Sequence, residues 1–308
     1  MGAGQQRRLA GLVALTPAFV SAAKIEIAPL TTALHLLTGP LDDRYRSDLV
    51  FDGALLVFRS VTGLDAFRAE TDSLVRAALG DDPQHAQLGS APEEFAAEVS
   101  ALQRRYRKHP AVREAFVSVL HELGMNTATA YWDWLYLRVQ AHADQTPAGT
   151  LGVHRDTWSS NVLAQTNWWT PIYPITAART VAFYPAYWKR PVPNTSAGWD
   201  LDQPDGRPLV PVPSGPIDAA GEVRVVIEPG DLLCFSGAQL HASVPNTSGL
   251  TRFSVEVRTV GLDDVRQARG APDIDGRAPH IAWRWFTQLT GSGSLRDVVA
   301  DLPASQPP

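Results

Sequence analysis

Along roughly the first 125 residues, apolar positions recur at the three- and four-residue spacing of a helix face. Phe95, Val99, Leu102 and Tyr106 form one stripe, with Pro92 where a first helical turn tolerates a missing N–H. Val112, Phe116, Val119, Leu120 and Leu123 form a second, opened by Pro110 and closed by Gly124. One strand, 54–58, is expected among these helices. From Tyr131 the period shortens to two, and aromatic and β-branched runs alternate with turn clusters. Strands are expected over 132–140, 151–158, 162–169, 180–184, 223–227, 231–235, 239–244 and 252–259. Eight such runs suffice for a closed or sandwich-like roll. Residues 186–221 are Pro-rich and without periodicity, which suggests a lid or insert, and 261–308 read as a C-terminal extension. The whole is expected to be a single domain, helical over 1–125 and a β-barrel core over 126–260.

Composition narrows the chemistry. The chain has 308 residues and a formal net charge of -5, with no basic run interleaved with aromatics, so nucleic acid is not an expected partner. The lone cysteine, Cys234, excludes an intrachain disulfide framework and Cys-rich zinc ribbons. Histidine and carboxylate ligands remain for any metal. Arg7-Arg8 followed by the apolar stretch 9–20 has the outline of a secretory signal, but Thr16 and Pro17 interrupt it and it is too short to span a bilayer. The expectation is a packed N-terminal helix, a cytoplasmic protein and no membrane partner.

His154-Arg155-Asp156 could present an imidazole and a carboxylate on one face of a strand. His-x-Asp is a weak signal, and a second copy stands at His142-Ala143-Asp144. That copy runs into Gln145-Thr146-Pro147-Ala148-Gly149, a turn-like stretch, whereas His154 lies in a segment able to run extended, so the first copy is preferred. Further on, Glu228-Pro229-Gly230-Asp231 forms a turn signal before the apolar run 232–235. His241 follows in the next expected strand, and Arg252 stands eleven residues beyond it. Alternation places Arg252, Ser254, Glu256 and Arg258 on one strand face, opposite Phe253, Val255 and Val257.

This Pro-Gly-Asp turn, apolar strand, histidine and later arginine resemble the iron(II)/2-oxoglutarate-dependent oxygenase superfamily, especially its phytanoyl-CoA-hydroxylase-like branch. The resemblance spans about 50–260 and is specific only over 150–260. It implies a mainly β fold, a double-stranded β-helix (jelly-roll or cupin-like) barrel with the N-terminal helices packed outside. It also implies iron(II) on His154, Asp156 and His241, with 2-oxoglutarate, O2 and ascorbate as an accessory reductant. Two histidines and one carboxylate leave three adjacent coordination positions open, the arrangement of non-haem oxygenases. By the resemblance Arg252 grips the distal carboxylate of 2-oxoglutarate, with Ser254 adding a hydroxyl. By the resemblance the retained Asp156 favours hydroxylation, desaturation or ring closure over halogenation; hydroxylation of a small molecule or natural-product intermediate is the expected reaction. One departure bears on substrate: the Gly-Ser-His that usually closes the segment after Val181-Ala182-Phe183-Tyr184-Pro185 is replaced by Ala186-Tyr187-Trp188.

Weaker candidates surround this set. Gln165 and Asn167 share a strand face and, with Gln140, are candidates to donate to 2-oxoglutarate. Tyr136 and Arg138 share a face with Gln140 and, with Trp158 and Trp188, are candidates for substrate; Trp168, Trp169 and Trp199 add to a possible aromatic cavity. Arg155 points away from its neighbours and is expected to be structural or solvent-facing. Two other functions stay open: a cupin-type metal-dependent isomerase or epimerase, and a catalytically silent small-molecule-binding barrel.

Overall fold

The computed structural model describes residues 34–144, 150–200 and 209–300; the apolar stretch 9–20 and part of the Pro-rich insert lie outside the described residues. In chain order, β1 (Leu34–Leu37) leads to α1 (Asp43–Phe51) and β2 (Leu55–Phe58), and then to α2 (Gly63–Leu79), α3 (Pro92–Tyr106) and α4 (Pro110–Glu122). Next come β3 (Ala130–Trp132), β4 (Tyr136–Gln140), the short helix α5 (Thr157–Ser160), β5 (Gln165–Pro171) and β6 (Val181–Phe183). Then follow β7 (Val223–Val225), β8 (Leu232–Ser236), β9 (His241–Ser243) and β10 (Arg252–Gly261). The last elements are α6 (Leu262–Arg266), β11 (Thr287–Gln288) and α7 (Leu295–Val299).

Both long stripes form helices as expected. Pro92 and Pro110 begin α3 and α4, where a missing N–H costs nothing. Glu93 and Glu94 open α3, and Arg104 and Arg105 close it, complementing the helix dipole. Phe67 of α2 packs edge-on against Phe116 of α4 with ring centroids 5.0 Å apart, and burial of each such ring contributes about 1.5–3 kcal/mol.

The strands form two sheets. The larger has eight strands in the order β1-β2-β8-β5-β10-β3-β11, with β4 also paired to β10; β1 runs parallel to β2 and the other pairs are antiparallel. The smaller is antiparallel, β7-β6-β9. Period-two alternation gives the large sheet two apolar faces. Leu56, Phe58, Trp168, Cys234, Phe253, Val255 and Val257 pack with the helices in one core. Leu55, Val57, Trp169, Leu233 and Phe235 face Val181, Phe183, Val223 and Val225 of the small sheet in another. Phe183 and Phe235 meet across the gap, T-shaped, at 4.9 Å. The sheets are thus the centre of the fold and the N-terminal helices cover one face.

Three expectations need correction. The run 132–140 is two strands, 130–132 and 136–140; at the break Asp133 exchanges hydrogen bonds with Arg258, its N–H donating to Arg258 O at 3.1 Å and its Oδ1 accepting from Arg258 N–H at 3.0 Å. The run 151–158 is not a strand: it holds one bridge residue, His154, and then turns into α5. The sheet is also not confined to 126–260: besides the expected strand at 54–58, which is β2, β1 joins it from the N-terminal part and β11 from the C-terminal extension. β1 and β11 carry no expectation from the sequence; four and two residues are too short for a period to register. Among the described residues no helix is long and apolar enough to cross a membrane.

Candidate metal centre

The site lies where the two sheets face each other. His241 begins β9, and its backbone is bridged to His154: His154 N–H donates to His241 O at 2.9 Å, and His241 N–H to His154 O at 3.0 Å. Two residues later the chain turns into α5, with Asp156 at its N-cap position. Asp156 therefore reaches the histidines from a helical turn. One ligand atom each from His154, Asp156 and His241 lie within 4.8 Å of one another, and all three residues are buried. His154 Nε2 is 3.7 Å from Asp156 Oδ1, and His241 Nε2 is 3.9 Å from Oδ2.

Both rings are aimed by the backbone. His154 Nδ1–H donates to Gly152 O at 2.7 Å, and His241 Nδ1–H to Gln239 O at 3.0 Å. A carbonyl can only accept, so the proton sits on Nδ1 and the Nε2 lone pair is turned toward Asp156. Burial, reinforced by the neighbouring His241, lowers the His154 pKa to about 4, which keeps its ring neutral and able to ligate at pH 7. Burial would raise the Asp156 pKa, but Arg258, both histidines and the Asn167 amide outweigh it and hold the carboxylate below its ordinary range.

Gln165 and Asn167, candidates to donate to 2-oxoglutarate, form a relay that ends on Asp156. Asn167 Nδ2 donates to Asp156 Oδ2, and Gln165 Nε2 donates to Asn167 Oδ1 at 2.9 Å. Gly237 lets Gln165 sit there: a Cβ at that position would lie 2.6 Å from Gln165 Nε2. Register explains the relay, because Asn167 pairs with Arg258 on β10 and shares its face. Arg258 reaches Asp156 Oδ1 with Nη1 at 3.7 Å, while its Nε donates to Asp133 and its Nη2 to Tyr136 Oη at 3.1 Å. Asp133 and the role of Arg258 went unread in the sequence; alternation placed Arg258 on the right face, but its acid partner is 125 residues away.

A cavity beside the histidines is lined by His154, His241, Phe235, Ser243, Arg252 and Glu256, among others. Arg252 is 3 % exposed; it donates to Thr180 O at 2.9 Å and to Ser243 Oγ at 3.5 Å, and its Nε has no partner. Ser254 Oγ is also buried without a partner. Burial and the nearby Arg138 lower the Arg252 pKa to about 10, with Glu256 opposing them, so the guanidinium stays charged at pH 7. Gln140, expected here, donates instead to Thr150 Oγ1 at 2.8 Å and to Val244 O at 3.1 Å, and does not line this cavity.

A second cavity of about 410 Å³ has Asp156 and Arg258 in its wall, together with Tyr136, Arg138 and Trp285. Arg138 borders both cavities and pairs with Glu256 at 3.3 Å. Trp158 and Trp188, expected near substrate, line neither. Trp158 Nε1 donates to Asp275 at 2.7 Å. The Trp188 ring packs over Gly53, whose φ of +98° and missing Cβ, which would come within 2.6 Å of the indole, both require glycine. Arg155 is structural but not solvent-facing: at 1 % exposure it pairs with Asp275 at 3.1 Å and donates to Tyr187 O at 2.7 Å. His142 lies on the surface, and among the described residues only the His154 copy of His-x-Asp joins a metal-ligating cluster.

A family model described as phytanoyl-CoA dioxygenase (PhyH) matches residues 50–254. Among solved structures, EvdO2 from Micromonospora carbonacea var. aurantiaca, complexed with 2-oxoglutarate, is similar at 14 % identity and TM-score 0.47, over 73 % of this chain and 93 % of that one. The non-heme monooxygenase ThoJ is similar at 18 % identity and TM-score 0.40, over 70 % and 77 %. The epimerase SnoN, in complex with Fe3+, alpha ketoglutarate and nogalamycin RO, is similar at 14 % identity and TM-score 0.41, over 76 % and 98 %. No curated protein matches the chain by sequence.

Proposed function

Since the chain belongs to the phytanoyl-CoA dioxygenase family, we propose that it is an iron(II)- and 2-oxoglutarate-dependent dioxygenase that hydroxylates a C–H bond of a small molecule, and that its two sheets are the halves of a double-stranded β-helix. His154, Asp156 and His241 would hold the iron, and their two Nε2 lone pairs and carboxylate suit a divalent ion with open positions. When bound, iron with 2-oxoglutarate supplies the oxidation: the substrate C–H, O2 and 2-oxoglutarate become C–OH, succinate and CO2. The protein's part is to hold the ligands, exclude water and orient the reactants.

Arg252 carries this reading. A buried guanidinium without a carboxylate partner is costly. Its unpartnered Nε lies on the same strand face as the unpartnered Ser254 Oγ, and Arg252 lines the cavity of His154 and His241. A dicarboxylate bound there would supply the missing acceptor. A cupin isomerase would not need that cation.

The test is titration of 2-oxoglutarate into anaerobic iron-loaded protein, following the visible charge-transfer band of the keto-acid chelate. Arg252→Lys keeps the charge but loses the planar fork. Losing one charge-assisted hydrogen bond, about 1.5–3 kcal/mol, is expected to weaken 2-oxoglutarate binding roughly 10- to 150-fold with iron affinity little changed. Equal affinities, or no band in the wild type, would reject the assignment.

A further inference from the structure

We propose that the second cavity takes a flat, ring-bearing substrate that carries a carboxylate or similar anion, anchored by Arg107, with the oxidised C–H at the end of the molecule remote from that anion. This deepens the oxygenase reading and rests on it for the identity of the reacting end.

Charge pairing selects Arg107. Three guanidinium groups border the cavity: Arg107, Arg138 and Arg258. Arg138 is paired with Glu256 and Arg258 with Asp133. Arg107, at the C-terminal cap of α3, has no acidic partner and no side-chain hydrogen bond among the described residues. It lies over the rings of Trp134 and Tyr136, at 5.3 and 5.4 Å from their centroids. Stacking holds the plane of a guanidinium while its edge N–H groups stay available for a two-point contact with an anion.

The walls select the rest of the ligand. Trp134 and Tyr136 stand at Arg107, and Trp199 and Trp285 meet edge-to-face at 6.2 Å on the same cavity. Trp134 is 44 % exposed, a large ring left in solvent at the rim of a cavity in which Asp156 is buried and the three arginines are half-buried. Planar walls spaced around a cleft favour ring faces over flexible chains, because stacking adds about 0.5–1.5 kcal/mol beyond area burial. Orientation follows from depth. Asp156 is 3 % exposed and marks the closed end, whereas Trp134 and Arg107 mark the open one. An anion on Arg107 therefore leaves the opposite end of the molecule toward the metal carboxylate.

Isothermal titration of the full chain with 2-naphthoate, 2-naphthamide and decanoate tests this. The wild type is expected to bind 2-naphthoate about 10-fold or more tightly than the neutral amide, the worth of one charge-assisted contact, and more tightly than decanoate. Arg107→Gln should weaken 2-naphthoate alone and erase the preference, and Trp134→Ala should weaken both ring ligands. Iron binding and the 2-oxoglutarate band of Arg107→Gln should be unchanged, since Arg107 is outside that cavity. Equal binding of acid and amide by the wild type, undiminished 2-naphthoate binding by Arg107→Gln, preference for decanoate, or no binding of either ring ligand would overturn the proposal. An absent chelate band alongside acid-selective binding would instead reject the oxygenase reading and leave the anion site standing.

Discussion

Asp156→Ala is expected to bring turnover below detection, while Asp144→Ala leaves it intact. Losing a residue that merely supports a metal ligand typically costs 10–100-fold in metal affinity, so losing the ligand itself should cost more than about 100-fold. Asp156 is also the only carboxylate in the three-residue cluster, and its removal leaves Arg258 Nη1, 3.7 Å from the lost oxygen, beside two imidazoles. A cation there repels the incoming metal. Iron content by elemental analysis and succinate release together read the result. Normal iron content in Asp156→Ala, or loss of activity in Asp144→Ala, would move the site elsewhere.

Asp275→Ala carries the largest expected effect on stability. Its carboxylate accepts from Arg155 Nε at 3.1 Å, Trp158 Nε1 at 2.7 Å and Val192 N–H at 3.0 Å, and its carbonyl accepts from Asn194 Nδ2 at 2.9 Å. It thus ties the segment after β10 to α5 and to the Pro-rich insert. Truncation leaves the Arg155 guanidinium buried without its counter-ion, which typically costs about 3–5 kcal/mol, or a fall in Tm on the order of 10 °C. Replacing both partners by apolar residues should recover the part of the loss that comes from the unpaired guanidinium, since a buried pair often exchanges for a hydrophobic one at little net cost, but not the part from Trp158 Nε1 and Val192 N–H, which stay without their acceptor. Thermal melts of Asp275→Ala and of the double variant Arg155→Met with Asp275→Leu would check this. A single variant as stable as the wild type would show that the pair holds nothing.

The sequence was most legible where a local period dominates. The α3 and α4 stripes can be read from spacing because each buries one face against a continuous core, and β5, β8 and β10 from aromatic and β-branched runs that pack between the helices and the small sheet. It was less legible where tertiary contact sets the conformation. Extended structure over 151–158 followed from the residue types, yet only His154 pairs and α5 begins after Asp156. The pairing of His154 with Asp156 was therefore sound and its reason was not: helical turning and the Asn167 amide, rather than strand alternation, bring the carboxylate in. Gln165 and Asn167 shared a face as read, but what that face meets depends on their register against Val260 and Arg258. Arg155 and Asp275 could not be matched from sequence, since 120 residues separate them.

The backbone bridge between His154 and His241 has a consequence for how this centre can change over generations. Two of the three ligands are spaced by main-chain amides, with Nδ1 of each ring also tethered to a carbonyl, so the distance between them is written in groups every residue possesses. Apolar substitutions at Val153, Leu240 or Ala242, which pack in one buried cluster, leave those amides and carbonyls in place and so do not redraw that distance while the bridge survives. Asp156 is held in part by the main chain, its carbonyl accepting from Ser159 and Ser160 N–H at 3.0 Å, but its carboxylate is aimed by the side chains of Asn167 and Arg258. Apolar drift in the neighbouring side chains should therefore leave the histidine spacing in place, while the aim of the aspartate is heavily constrained by Asn167 and Arg258.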